Sequence, residues 1–419
     1  MSELALQTIA APDATVSVPG SKSFTNRALI CAALAPGDSV LVGRLDSDDT
    51  RVMIEALGRL GVETEERGPD LLVRGVGGKF AIPLHPLDCG ASGTTMRFLT
   101  ALATLVPGRV VLDGSVRMRE RPIRPLADAL GQIGANVRTV AGCPPVTVQG
   151  GTLPGGEVSV DSRQSSQFLS ALLMVAPMTE NGVKATSKAI TSRPYVDMTL
   201  DTMSAFGISI ETPSDDTFWI AAGQSYRPRT YRIEPDATAA TYFFAAAAVT
   251  GGRVKVEGIT AASTQADVRF VEVLERMGCR VDRAVDSISV RGPRYLHGVD
   301  VDLNALPDSA LTLAVVACLA QGPTAIRNVW NLRLKETDRM AALKCELEKL
   351  GASVETTDTD LLIEPPDDVR PARIATYGDH RIAMSFAVAG LSAEGIVLED
   401  PECVSKTFPD YFERLKLLS

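Results

Sequence analysis

The chain has 419 residues, 45% of them hydrophobic and 22% charged, with a formal net charge of −9. A single hydrophobic core stops growing at about 250–300 residues, so this length calls for two domains. The acidic balance excludes nucleic acid and an anionic membrane surface as general partners, and any cationic site must be a local exception to it.

In chain order, the opening stretch MSELALQTIAAPDA has neither the basic start nor the apolar run of a targeting peptide. The longest apolar runs, such as residues 310–320, fall short of the about 20 residues that span a bilayer, so a cytoplasmic protein is expected. VPGSKSFTNRAL (18–29) then takes a Gly-Ser turn into an apolar helix that opens with Lys22 and Arg27. A helix N-terminus carries partial positive charge and unpaired N–H groups, so cations placed there call for a counter-anion.

The rest of the chain repeats one unit. The segments ALGRLGVET, ALGQIGANV, TMSAFGISI, VLERMGCRV and ELEKLGASV place Gly61, Gly134, Gly207, Gly278 and Gly351 at intervals of 71 to 73 residues, and a sixth unit runs to PDYFERLKLLS. Each glycine stands where a helix C-terminus favours the left-handed conformation. Every unit also opens with a small-residue apolar helix, from RALICAALAPG to MSFAVAGLSAEG, followed by an alternating strand such as SVLVGRL. Helices that are apolar nearly all round are buried, so the expected fold is α/β, with three buried helices and outer sheets in each of two inside-out domains. The expected boundaries are 21–233 for the first domain and 1–20 with 234–419 for the second, joined by a two-strand hinge.

Polar knots precede the six apolar helices: Ser21-Lys22-Ser23, Ser92-Gly93-Thr94, Ser165-Ser166-Gln167, Asp236-Ala237-Thr238, Asp308-Ser309 and Asp379-His380-Arg381. N-capping alone accounts for Ser, Thr or Asp at any one of them, Asp308 included. Lys22, Arg27, Gln167 and Arg381 exceed what a cap needs, and six equivalent helix starts in two domains, their two faces opposed across a cleft, are expected to make a positive funnel for small polyanions. VPGSKS is not a Walker A loop, because Ser21 separates the glycine from the lysine. Arg117, Arg119, Arg121 and Arg124 form either a solvated charge run or forks for carboxylate and phosphate. In NLRLKETDRM, Lys335 and Arg339 fall four apart with Glu336 beside them, as if entering one helix start, and Asn331 stands just upstream. The seven cysteines lack CxxC spacing and fit reduced core thiols, while His85, His297 and His380 are too far apart to suggest a zinc site.

With PGSKSFTNRAL, LDSDDT, GASGTTMRFLTA, RMRERPI, SSQFLSALL, SRPY, LPDSALTLA, RNVWNLRLKETDRM, YGDHRIAMSFA and SKTFPDYF in this order, the whole chain resembles the enolpyruvyl transferase family, and within it the members that act on shikimate 3-phosphate. The resemblance implies two inside-out domains of three units each. It also implies transfer of the carboxyvinyl group of phosphoenolpyruvate to the 5-hydroxyl of shikimate 3-phosphate in the shikimate pathway to aromatic amino acids. Small-molecule substrates are implied, with no metal or organic cofactor, no nucleic acid and no membrane, and the chain is expected to act as a monomer. Lys22 then lies between both substrates. Ser23, Arg27, Ser165, Ser166, Gln167, Ser192, Tyr195, Asp308, Asn331 and Lys335 serve shikimate 3-phosphate. Gly93, Thr94, Arg121, Gln167, Arg339, Arg381 and Lys406 serve phosphoenolpyruvate, and glyphosate competes at that site. Lys22, Asp308 and Glu336 carry the proton transfers. The chain departs from the family at Ala91, where Asn is common, at Phe98, where Pro is, and at Pro235, where Gly is. The alternative acceptor, UDP-N-acetylglucosamine, goes with a catalytic Cys in the DGSVRMRERP loop, which has none here.

Overall fold

Ala and Leu dominate the first segment of every repeat, and such segments gain most by burying all their faces. The computed structural model describes residues 2–419; Met1, which the sequence reading assigns to the second domain, lies outside the described residues. Its described residues divide into two compact units, Gly20–Glu234, and residues 2–19 with Pro235–Ser419.

In the Gly20–Glu234 unit the central helices are Lys22–Leu34, Gly93–Leu102 and Gln167–Val175, with every residue from Phe24 to Leu34 and all of Gly93–Leu102 buried. Ser21 caps the first, its Oγ accepting from the Phe24 N–H at 3.5 Å, and Ser92 caps the second by accepting from Thr95 N–H at 3.4 Å. Pro36, which lacks an N–H, begins the strand Pro36–Val42 just past the first helix. The sheets lie outside the helices. In one of them the strands run Leu87–Asp88, Arg109–Asp113, Cys143–Gln149, Asn136–Val140, with a parallel pair across the buried helix and an antiparallel hairpin beyond. Along Cys143–Gln149, Pro144, Val146 and Val148 face inward, the period-two pattern of a half-buried strand. Each fully buried Leu or Phe on these faces contributes about 1.5–3 kcal/mol.

The other unit is built the same way on Ala237–Thr250, Ala310–Cys318 and His380–Gly390, buried almost throughout. The described strands form five four-stranded sheets and one three-stranded sheet in the two units. Gly61, Gly134, Gly207, Gly278 and Gly351 all take φ between +87° and +107°, the backbone state that ends the second helix of each of the first five repeats.

Two strands are exchanged. Asp13–Ser17 precedes the helix Lys22–Leu34 in the chain, yet it pairs in parallel with Arg253–Glu257 of the other unit's first sheet. Thr230–Arg232, which precedes Ala237–Thr250, pairs in parallel with Pro36–Val42. Farther upstream, Glu3–Ala5 pairs antiparallel with Ile396–Glu399 near the C-terminus. The Ser21 N–H donates to Glu234 O at 2.8 Å and the Asp236 N–H to Pro19 O at 2.8 Å, so each exit from a unit is bonded to its entry. No described helix is long and apolar enough to cross a membrane.

Candidate active site

In the Gly20–Glu234 unit, the helix start at Lys22 is answered by a carboxylate of the chain itself: Lys22 Nζ lies 3.4 Å from Asp49 Oδ2, and both side chains are largely buried. Asp49 comes from the LDSDDT stretch and opens the helix Asp48–Arg59. Arg27 is different. It is 2% exposed, and its Nε donates to Thr199 Oγ1 at 2.7 Å, its Nη1 to Ser23 O at 2.9 Å and its Nη2 to Tyr195 O at 2.7 Å, all neutral acceptors. Burial pulls its guanidinium down to about 10. Phe98 supplies the face of its ring 5.4 Å from the Arg27 guanidinium carbon, so the departure from Pro at this position puts a quadrupole beneath an otherwise uncompensated cation. These three bonds engage three of the five guanidinium N–H groups.

Arg97, absent from the sequence-based site, organises the neighbouring knots. Its Nη1 donates to Gln167 Oε1 at 2.8 Å and to Gly93 O at 3.3 Å, its Nη2 to Pro122 O at 3.4 Å, and its guanidinium stacks 5.3 Å over Phe168. Gln167 Nε2 in turn donates to Thr94 Oγ1 at 3.2 Å. A Cβ built on Gly93 would lie 2.7 Å from both Arg121 Nη2 and Arg97 Nη1, so the two forks converge where this residue has no side chain. Of the four arginines in the RMRERPIR stretch only Arg121 is buried; Arg117 pairs with Glu120 at 2.8 Å and Arg119 with Asp113 at 2.6 Å on the surface, and Arg124 is exposed at the start of the helix Arg124–Gln132. Ser165 Oγ accepts from the Gln167 N–H at 3.2 Å, Ser166 is buried beside it, and Ser192 is buried with φ +55°.

In the other unit one buried guanidinium gathers three carboxylates. Arg339 Nη1 meets Asp308 Oδ1 at 3.0 Å, its Nη2 meets Glu336 Oε2 at 2.9 Å, and its Nε meets Asp379 Oδ2 at 2.7 Å. Burial alone would lower Arg339, but Asp379, Glu336 and Asp308 outweigh it and hold the group above its ordinary value. Arg381 Nη2 lies 2.9 Å from Asp308 Oδ2, and its Nη1 donates to Tyr242 OH at 3.3 Å. Lys406 is buried at the end of a short 3-10 turn.

Two sequence expectations change here. Asp308 does not cap its helix: Ser309 holds the cap position without a side-chain bond to the helix N–H groups, and both Asp308 oxygens are taken by arginines. Lys335 and Glu336 do not share a helix start with Arg339 either. Asp338 is the N-cap, accepting from the Ala341 N–H at 3.1 Å, so the helix begins at Arg339, and Lys335 is extended at the end of a 3-10 turn that contains Asn331. Asn331 is 3% exposed and its Oδ1 is buried without a hydrogen-bond partner.

Behind Asp308, the Ser309 Oγ donates to Asp267, whose carboxyl is pushed up to about 6 by burial and then by the nearby Asp308 charge. An acid raised in the folded state keeps its proton while the unfolded chain loses it, so folding stability falls as pH rises from about 4 to about 6 and stays low above that. Asp267→Asn is therefore expected to raise stability at pH 7.5 by up to about 3 kcal/mol, with the gain vanishing near pH 4. Thermal melts that show the same difference at both pH values would remove this reading.

The fold is that of solved enolpyruvyl transferases. A solved EPSP synthase of Acinetobacter baumannii superposes with a TM-score of 0.84 at 26% identity, covering 100% of this chain and 98% of that one. An enolpyruvyl transferase of Streptomyces tendae follows the same fold with a TM-score of 0.80 at 21% identity, covering 99% and 96%. In sequence, the family model described as EPSP synthase (3-phosphoshikimate 1-carboxyvinyltransferase) matches residues 6–415, and a 3-phosphoshikimate 1-carboxyvinyltransferase of Pseudoalteromonas translucida is 44% identical over 425 residues, all of both chains. The chain belongs to the EPSP synthase family, and it is an enzyme.

Proposed function

We propose that the two sets of residues serve one reaction: transfer of the carboxyvinyl group of phosphoenolpyruvate to the 5-hydroxyl of shikimate 3-phosphate, with release of phosphate. The observation that carries this reading is the placement of Asp308 and Glu336 on one buried guanidinium beside Arg381. Asp308 and Glu336 give these arginines counter-charge and, being partly exposed, are also placed to exchange protons with a bound substrate, which anion binding alone does not require.

In the addition, a proton joins the methylene carbon of phosphoenolpyruvate, the 5-hydroxyl oxygen bonds to its C2, and the hydroxyl proton leaves to a base. In the elimination, the bond from C2 to the phosphate oxygen breaks and the new methyl group returns a proton. Glu336 and Lys22 move the protons at carbon, and Asp308 accepts from the hydroxyl. Arg27, Ser23, Ser165, Ser166, Ser192, Gln167, Tyr195, Asn331 and Lys335 hold shikimate 3-phosphate. Lys22, Gly93, Thr94, Arg121, Gln167, Arg339, Arg381 and Lys406 hold phosphoenolpyruvate. Lys22, Arg339 and Arg381 already face carboxylates of the chain, which supply the counter-charge a buried cation needs before an anionic substrate arrives. The enzyme works as a cytoplasmic monomer on these small molecules, with no cofactor.

The test is phosphate release from phosphoenolpyruvate with shikimate 3-phosphate as acceptor, and in parallel with UDP-N-acetylglucosamine. Release with the first alone supports the reading; release with the second alone overturns it. Arg121→Ala should weaken phosphoenolpyruvate binding by roughly 10–150-fold, the loss of a charge-assisted hydrogen bond of about 1.5–3 kcal/mol, and leave thermal stability near the parent's. A large fall in melting temperature at unchanged ligand affinity reverses that assignment.

A further inference from the structure

Glu346 is a fully buried carboxylate that the reaction does not use. It lies on the helix Arg339–Lys349, seven residues and about two turns beyond Arg339, and so on the same face. Its Oε1 accepts from the Tyr377 hydroxyl at 2.7 Å, and its Oε2 accepts from the Ala375 N–H at 3.1 Å and from Lys349 Nζ at 2.6 Å. A buried carboxylate is costly to keep, and here every bond it accepts but one comes from the segment that leads to Asp379 and Arg381.

That segment makes an unusual turn. The strand Ala372–Ala375 ends, Tyr377 and Gly378 take φ of +57° and +64°, and Asp379 then caps the helix His380–Gly390 by accepting from the Arg381 N–H at 2.9 Å. Gly378 adopts the left-handed state freely, but a residue with a Cβ does not. Tyr377 is 46% exposed, so it is not enclosed by packing, and its hydroxyl is tied to Glu346. One helix therefore grips the 375–381 segment twice, through Arg339 on Asp379 and through Glu346 on Ala375 and Tyr377.

We propose that Glu346 is a positioning residue for the reaction: through Tyr377 and Ala375 it fixes the turn that delivers Asp379 and Arg381, and so sets the geometry in which Arg339 and Arg381 meet the donor. The inference rests on the reading above that these two arginines hold phosphoenolpyruvate.

The experiment uses the full chain with Tyr377→Phe, Glu346→Gln and Glu346→Ala. Loss of the hydroxyl in Tyr377→Phe should raise the KM for phosphoenolpyruvate about tenfold, with kcat and the KM for shikimate 3-phosphate within about twofold of the parent. Glu346→Ala should be worse, and Glu346→Gln should recover part of the loss, because an amide oxygen still accepts and an amide N–H can donate to the Tyr377 oxygen. Amide hydrogen exchange in residues 376–381 should quicken by about tenfold in Tyr377→Phe while the central helices stay protected, a readout that does not depend on which reaction the enzyme performs. A parent chain without carboxyvinyl transfer overturns the function reading. Unchanged exchange at 376–381 in Tyr377→Phe and Glu346→Ala overturns the positioning role, as does an equal loss of kcat and of both KM values accompanied by a lower melting temperature.

Discussion

Glu336→Gln is expected to cut turnover by about 10²–10⁴-fold while shikimate 3-phosphate binds nearly as it does to the parent. The side chain of Glu336 is 13% exposed, and one of its oxygens accepts from Arg339 Nη2 at 2.9 Å. Glutamine keeps that shape and that acceptor, so Arg339 stays in place on Asp308 and Asp379. What is lost is the ability to take up and return a proton. Steady-state turnover together with a binding titration of shikimate 3-phosphate separates the two effects. If the variant turns over at the parent's rate, the proton at carbon is moved by Lys22, which stands 3.4 Å from Asp49 and so already has an acidic partner.

The second large effect is expected at Gly93, where a methyl group would fall 2.7 Å from the tips of both Arg121 and Arg97. Those tips are flexible ends, so Gly93→Ala should fold, but the two guanidinium groups must move. Overpacking of about 1–3 kcal/mol combined with one displaced charge-assisted hydrogen bond of about 1.5–3 kcal/mol corresponds to a rise of roughly 10²–10⁴-fold in the inhibition constant of glyphosate. Phosphoenolpyruvate is shorter, so its KM should rise less. Because Arg97 also positions Gln167, a measurable loss in donor affinity is expected as well, and only the ratio of the two effects is diagnostic. Inhibition assays on Gly93→Ala that show glyphosate unaffected would mean that this wall does not face the donor.

Much of the fold could be read from the sequence because its signals are local and repeated. Gly61 and its four counterparts recur at a fixed interval for one backbone reason, a left-handed residue after a helix, and buried helices announce themselves by Ala and Leu on every face. The helix starts that carry Lys22, Gly93 and Gln167 were legible from their knots for the same reason. What escaped depends on partners distant in the chain. Nothing local marks Arg97, and only its reach to Gln167, 70 positions away, gives it a role. Asp308 looked like a cap because caps are commonest at helix starts, but two arginines 31 and 73 positions further on claim its oxygens. Asp49 and Asp379 were hidden in the same way, each a counter-charge whose cation comes from another element.

The strand exchange also dictates an order of assembly on the ribosome. The unit Gly20–Glu234 is contiguous, so it can complete its sheets, Thr230–Arg232 included, soon after that strand emerges. Asp13–Ser17 is made before that unit but pairs with Arg253–Glu257, and Glu3–Ala5, made earlier still, must wait for Ile396–Glu399. At about 5–20 residues per second, the first of these strands stays unpaired for roughly 10–50 s and the second for longer still. These two strands thus wait open while the Gly20–Glu234 unit folds, and Glu3, Pro12 and Asp13 are the kind of residues that keep a waiting strand edge from pairing with another chain.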